Sequence, residues 1–176
     1  QLQALNGPMA EASIKKEVSF VHPLYRAIIE ASPFAVLATS GPDGLDASPR
    51  GDPAGFVQLL DDKTLLLPER RGNNRADSLR NIVADPRVAL LFLIPGMNET
   101  LRVNGTARIT LDSALRERLA VDGKTPQSVV VVSIRSAYMH CAKAFMRSNL
   151  WKPETWPDRA SLPTLGEILR DQVAYA

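Results

Sequence analysis

Two extended segments near the middle of the chain place the strongest constraint on the fold. Residues 88–94 are apolar on both faces, which is typical of a strand at the centre of a sheet. A short turn at residues 95–98 follows. Apolar and polar residues then alternate from Leu101 to Leu111, the period-2 pattern of a half-buried strand. Gly105 interrupts this alternation and predicts a bulge or a close backbone approach.

Other segments of the chain share this extended character. Strands are predicted over residues 34–39, 45–50, 56–60, 64–68 and 127–135. Most neighbouring strands are joined by short turns, so the sheet is expected to be mainly antiparallel. A small closed or partly closed barrel of six or seven strands is the economical arrangement, because closure removes exposed edges.

Four helices are predicted, each from a local start signal. The start signals are Pro23 after His22, Asn74 as an N-cap with Asp77 three residues later, Asp112 as an N-cap, and a capping box formed by Thr164 and Glu167.

The chain is expected to form one domain over residues 21–176, preceded by an N-terminal arm over residues 1–20. Within the domain, residues 138–151 fit either a continued strand or a helical turn.

An arginine-rich stretch surrounds the start of the second predicted helix. Arg70, Arg71 and Arg75 lie next to Asn74, where free N–H groups and the helix dipole already create positive potential. A bound phosphate would satisfy these donors. The alternative is a solvated turn with ordinary surface arginines. The stretch therefore suggests a phosphate-binding element without deciding between the two.

Composition excludes several classes of function. Lys and Arg number 21 against 19 Asp and Glu, so no broad basic surface is implied. Aromatic residues make up only 6% of the 176 residues, too few to suggest stacking platforms for nucleic acid. Neither a P-loop nor a G-x-G-x-x-G motif occurs, so ATP or NAD held by those devices is not expected. No nucleic-acid partner is predicted.

The location is predicted to be cytoplasmic. Cys141 is the only cysteine and cannot form an internal disulfide, which fits a reducing compartment. No apolar run approaches the ~18 residues that a membrane span needs, and no signal peptide is expected in residues 1–19. No metal site and no membrane partner are predicted.

Several segments together resemble the pyridoxamine 5′-phosphate oxidase-like family of flavoproteins, which bind FMN in a split β-barrel. The resemblance runs in order from about residue 34 to residue 109. The end of the chain is similar to a bacterial subgroup of FMN-dependent enzymes. The segments that carry the resemblance are residues 47–52, 64–68, 72–82, 85–88, 99–105 and 140–151.

The resemblance implies a six-stranded antiparallel split β-barrel of Greek-key type with several peripheral helices. It also implies FMN at a homodimer interface. Positions implied for the cofactor in one subunit are Ser48, Arg50, Pro68, Glu69, Arg70, Asn73, Asn74, Arg75 and Ser78. Positions implied to complete the pocket across the dimer are Thr100, Arg102, Lys143, Arg147 and Trp151.

The chain departs from pyridoxamine phosphate oxidase itself. Leu67-Pro68 replaces its Tyr-Thr pair, residues 73–75 replace its Ser-Arg-Lys segment, and its Arg-x-His signature is not evident. The predicted function is therefore an FMN-dependent oxidoreductase acting on an unidentified small molecule. The alternatives are a non-catalytic flavin-storage or sensing protein, or a binder of pyridoxal phosphate or a deazaflavin. A pocket role and plain packing both stay open for His140, and no redox role is expected of Cys141.

Overall fold

The computed structural model describes Leu5, residues 7–8, residues 11–72 and residues 75–174. Asn73 and Asn74 lie outside the described residues. The strands are β1 (Phe34–Gly41), β2 (Gly44–Gly51), β3 (Gln58–Asp61), β4 (Thr64–Glu69), β5 (Arg87–Leu93), β6 (Thr100–Thr110) and β7 (Ser128–His140). The helices are α1 (Glu11–Lys15), α2 (Pro23–Ala31), α3 (Asp77–Ala84), α4 (Ser113–Arg118), α5 (Lys143–Ser148) and α6 (Leu165–Ala174).

The described strands form one antiparallel sheet in the order β2-β1-β5-β6-β7-β4-β3. The mainly β prediction is confirmed, but the six-stranded barrel is wrong, because seven strands form a sheet that does not close. Within the described residues, β2 and β3 are the two edges, and no backbone ladder joins β2 to β4. Pro68 lies near the end of β4 and, as a proline, has no N–H. Strand β4 therefore has one donor fewer for pairing with another strand.

The main core lies on one face of the sheet, and a smaller cluster of Leu66, Leu119, Val129 and Val131 lies on the other face of β4 and β7. Buried residues alternate with half-buried ones along β1 and β5, as expected for strands with one covered face. Leu37, Leu90 and Val103 are fully or almost fully buried on that face, and Ile29 of α2 and Ile82 of α3 pack into the same cluster. Helices α2 and α3 therefore cover this side of the sheet.

Gly105 marks the close approach that its position predicts. The pairing of β6 with β7 shifts register between Asn104 and Gly105. A Cβ atom at Gly105 would lie 2.2 Å from the carbonyl oxygen of Ser133. Glycine is therefore required here by the contact between the two backbones.

Strand β7 continues five residues beyond the predicted end at residue 135. Beyond Ser133, β4 no longer pairs with β7. Val18 of the N-terminal arm occupies this edge instead, exchanging two backbone hydrogen bonds with Ala137. Val21 also donates to the carbonyl of Asp62 at 2.6 Å. The last residues of the predicted arm are therefore joined to the sheet.

The helix starts agree with the sequence in three places and differ in one. Asp112 accepts from the Leu115 amide at 2.9 Å, and Thr164 and Glu167 form the predicted capping box before α6. Helix α3 begins at Asp77, and its N-cap is Ala76, which makes no side-chain capping bond. The N-cap predicted at residue 74 is therefore wrong, because the helix starts later.

No helix among the described residues is long and apolar enough to cross a membrane.

Candidate functional site

A cleft of about 460 Å³ lies at the junction where β2 and β4 approach without pairing. Ser48 and Arg50 occupy alternate positions of β2, opposite the buried residues Leu37 and Ala35 of β1, so their side chains leave the sheet on the core side. Beyond the edge of β1 these side chains meet the end of β4. The cleft contains six of the predicted cofactor residues, Ser48, Arg50, Pro68, Glu69, Arg70 and Arg75, together with Arg71.

Arg50 is the most enclosed charged group in the cleft. Its Nη1 donates to the Glu69 carboxylate, and the two side chains are 14% and 19% exposed. Its Nε is buried and has no hydrogen-bond partner. A buried donor without a partner is costly, because it has lost its hydrogen bond to water. Arg50 is thus oriented by Glu69 while one donor is left to interact with a ligand.

Arg70 is anchored to the protein through several bonds. Its Nε donates to Asp52 at 2.6 Å, and its Nη2 donates to the Leu119 carbonyl at 2.9 Å. Its Nη1 also approaches the Lys124 carbonyl at 3.5 Å. Arg70 therefore ties the loop after β2 to the end of α4, and it contributes charge to the cleft from a fixed position.

The start of α3 has a mixed charge. Arg75 donates to the Asp77 carboxylate at 2.6 Å, and this contact raises the pKa of the guanidinium. Ser78 is buried and donates to Asp46 at 3.1 Å, so it does not line the cleft. Two carboxylates thus lie beside this helix terminus. The positive character of the cleft comes instead from its four arginines, opposed by one glutamate in its lining.

The five residues predicted to come from the second subunit lie outside the cleft in the single chain. Thr100 and Arg102 are on β6, and Lys143 and Arg147 are on the exposed helix α5. Trp151 stacks on Phe145 at 5.8 Å, and its Nε1 donates to the Met97 carbonyl at 2.8 Å. These contacts give Trp151 a packing role within the chain.

Arg102 belongs to a group of side chains that the sequence did not identify, hereafter the Tyr138 cluster: Lys16, Arg102, Tyr138 and His140. Arg102 donates to the Tyr138 hydroxyl at 3.1 Å, and the Tyr138 and His140 rings are 5.2 Å apart. Burial, followed by the charges of Arg102 and Lys16, lowers the pKa of His140 below its usual 6.5. Extending the period-2 pattern through residues 136–140 would have placed Tyr138 and His140 on one face.

The fold and the cleft together define a small antiparallel-sheet protein with an arginine-lined cleft and, among the described residues, no cluster of metal ligands. The chain belongs to the pyridoxamine 5′-phosphate oxidase family, whose model matches residues 21–141. This match confirms the family resemblance. It covers β1 to β7 and the cleft, but not Lys16 or α6.

Solved structures show the same fold at low sequence identity. HupZ of Group A Streptococcus is 19% identical with a TM-score of 0.55, covering 66% of this chain and 91% of that chain. A putative pyridoxamine 5′-phosphate oxidase from Lactobacillus delbrueckii is 20% identical with a TM-score of 0.53, covering 69% and 95%. An FMN-binding protein from Syntrophomonas wolfei is 12% identical with a TM-score of 0.50, covering 66% and 83%. A search of curated proteins gave no match.

Proposed function

We propose that the cleft binds the phosphate-bearing end of FMN and that the protein is an FMN-dependent oxidoreductase acting on a small molecule. The observation that carries the proposal is the buried Nε of Arg50, which has no partner and belongs to a cleft lined by four arginines. The cleft volume is within the range of small-molecule sites. A flavin, when bound, supplies the electron transfer.

The residues of the chain would divide the work of binding. Arg50, held by Glu69, would donate from its Nε to the phosphate or the ribityl chain. Arg71 and Arg75 would add positive charge beside Arg50, with Arg75 also paired to Asp77 and Arg50 to Glu69. Asn73 and Asn74 stay proposed phosphate contacts through the family resemblance. Ser48 and Pro68 would line the site beside them.

A homodimer is part of this proposal. The outer face of β1 and β5 carries Val36, Leu91 and Leu93, where a solvated sheet face would carry polar residues. Val36 pairs with Leu91, and Leu91 pairs with Arg102, so this apolar surface continues to a predicted contact of the second subunit. Packing two such faces would place Arg102 of β6 at the edge of the interface.

Matched arginine variants test the phosphate contact. We expect Arg75→Ala to weaken FMN binding by about tenfold or more, since a charged hydrogen bond contributes about 1.5–3 kcal/mol. Arg50→Gln should weaken binding by a similar factor. The control is Arg87→Ala: like Arg75, Arg87 is exposed and pairs with an aspartate two residues away, but it does not line the cleft. Quenching of flavin fluorescence measures the affinities.

Riboflavin provides the second half of this test, because it lacks the phosphate. Wild-type protein should bind FMN more tightly than riboflavin, and Arg75→Ala should reduce that difference by about tenfold, the contribution of one charged hydrogen bond. Equal affinity for the two flavins in the wild type would contradict the phosphate assignment. The absorption spectrum of the purified protein then distinguishes flavin from a deazaflavin or pyridoxal phosphate. Reoxidation of reduced flavin by a substrate faster than by oxygen alone would separate an enzyme from a storage or sensing protein.

A further inference from the structure

The Tyr138 cluster lies on the half-exposed outer face of β6 and β7. Arg102 is directly opposite Tyr138 in the ladder, and His140 follows two residues later on the same face. The guanidinium of Arg102 and the ammonium of Lys16 each lie 5.7 Å from the centre of the Tyr138 ring. Two cations are therefore held around one aromatic ring.

Within the part of the chain that the structure describes, no ion pair balances the positive charge of the cluster, because neither Lys16 nor Arg102 takes part in one. Lys16 donates to the Met139 carbonyl at 2.8 Å, and Arg102 donates to the Tyr138 hydroxyl. These neutral acceptors position the two cations without cancelling their charge. Both cations act on the same rings, since both lie beside Tyr138 and, after burial, both lower the pKa of His140; the positive potential at the cluster attracts an anion.

The hydrogen-bonding capacity of the cluster also favours an anion. Because the Tyr138 oxygen accepts from Arg102, its own hydrogen points elsewhere and can be donated. The Nε2 of His140 is buried and has no partner. Guanidinium, ammonium and hydroxyl groups are all donors here, so the complementary ligand is an acceptor with negative charge. Carboxylate and phosphate groups meet both conditions.

The N-terminal arm builds this cluster. Backbone bonds between Val18 and Ala137 fix the arm on the edge of β7, and the Tyr25 hydroxyl donates to the Lys16 carbonyl at 3.0 Å. These contacts hold Lys16 over the Tyr138 ring. Lys16 precedes the segment that the family model matches, whereas Arg102, Tyr138 and His140 lie within it.

We propose that the Tyr138 cluster is a second anion site, which binds the carboxylate or phosphate group of a small molecule. The site does not depend on flavin in the cleft. Arg102 is also a predicted flavin contact from the second subunit, so the experiment has to separate a small-anion site from part of the cofactor pocket.

The two histidines of the chain allow a direct measurement. NMR of the imidazole groups in the full-length protein would follow titrations with inorganic phosphate and with acetate at constant ionic strength. An anion bound in the cluster stabilises the protonated ring, so the pKa of His140 should rise saturably with either anion. The signals of His22, which lies outside the cluster, should not change and serve as the internal reference.

Variants identify the cations that bind the anion. Lys16→Met and Arg102→Gln should each weaken phosphate binding by about tenfold or more, the loss of one charged hydrogen bond. Arg102→Lys should lose less, because it keeps the charge. The control is Lys15→Met: Lys15 is the neighbouring lysine, but it is exposed and paired with Glu11. Thermal unfolding checks that each variant is folded.

Three results would overturn the proposal. The first is no saturable change at His140 with phosphate or acetate. The second is an equal loss of affinity in the Lys15 and Lys16 variants. The third is a response of His140 to FMN but to neither small anion, which would assign the cluster to the cofactor pocket. Lys16 is not a predicted flavin contact, so Lys16→Met should lose small-anion binding and keep its affinity for FMN; the two proposals therefore fail separately in this variant.

Discussion

At the scale of single residues, Gly105 has no room for a side chain. The buried Gly105 lies against the backbone of Ser133 across the β6–β7 ladder, and this ladder connects the two halves of the sheet. Gly105→Ala should lower the free energy of unfolding by about 1–3 kcal/mol, because the backbone carbonyl cannot move aside without breaking the ladder. Urea denaturation measures the change. Gly72→Ala is the control, since no atom lies within 4 Å of its added Cβ, and similar losses in both variants would argue against this steric explanation.

At the scale of elements, helix α6 is stabilised by its own first turn. Its described residues are all exposed, so packing contributes little, whereas Thr164 and Glu167 cap each other reciprocally. Thr164→Ala should speed amide exchange in α6 by about fivefold, the effect of a typical N-cap. Hydrogen exchange measures this rate. Thr155→Ala is the control, because its hydroxyl bonds only to carbonyl groups outside the helix. An unchanged rate after Thr164→Ala would show that another contact holds α6.

The same cap gives α6 a pH dependence. Hydrogen bonds from Thr164 lower the pKa of the Glu167 carboxyl below its usual 4.5. A carboxylate with a lowered pKa stabilises the helix above its ordinary pKa, and this contribution is lost as the pH falls through the lowered value. The protection of the α6 amides, relative to the intrinsic exchange rate at each pH, should therefore fall more steeply in acid in the wild type than in Thr164→Ala.

At the scale of the whole molecule, the outer face of β1 and β5 is the proposed dimer interface. Leu91→Glu places a charge in the middle of this apolar face and should convert the proposed dimer to a monomer, because an unpaired charge in an interface is costly. Sedimentation velocity measures the change. Val83→Glu is the control, since Val83 is 79% exposed on α3, away from the face. A monomeric wild type, or a dimer that persists in Leu91→Glu, would contradict this interface.

The sequence predicts most elements correctly because their signals are local. Alternation marks the strands, Pro23 and Asp112 mark helix starts, and the interruption at Gly105 marks the bulge. The N-cap at Asn74 was wrong because several polar residues precede α3, and spacing alone does not choose among them.

The family motifs also identified most of the cleft lining, but not the bonds of Arg70 to Asp52 and Leu119, which join distant parts of the chain.

The sequence by itself determined the strand-rich architecture, the positions of the turns and the arginines available for an anion, since these depend on residues a few positions apart. Only the tertiary structure decided that β2 and β4 stay unpaired, that Glu69 orients Arg50, and that the arm carries Lys16 to Tyr138. The physical reason is distance along the chain. Each of these contacts joins side chains or strand edges whose meeting depends on the path of all the intervening segments.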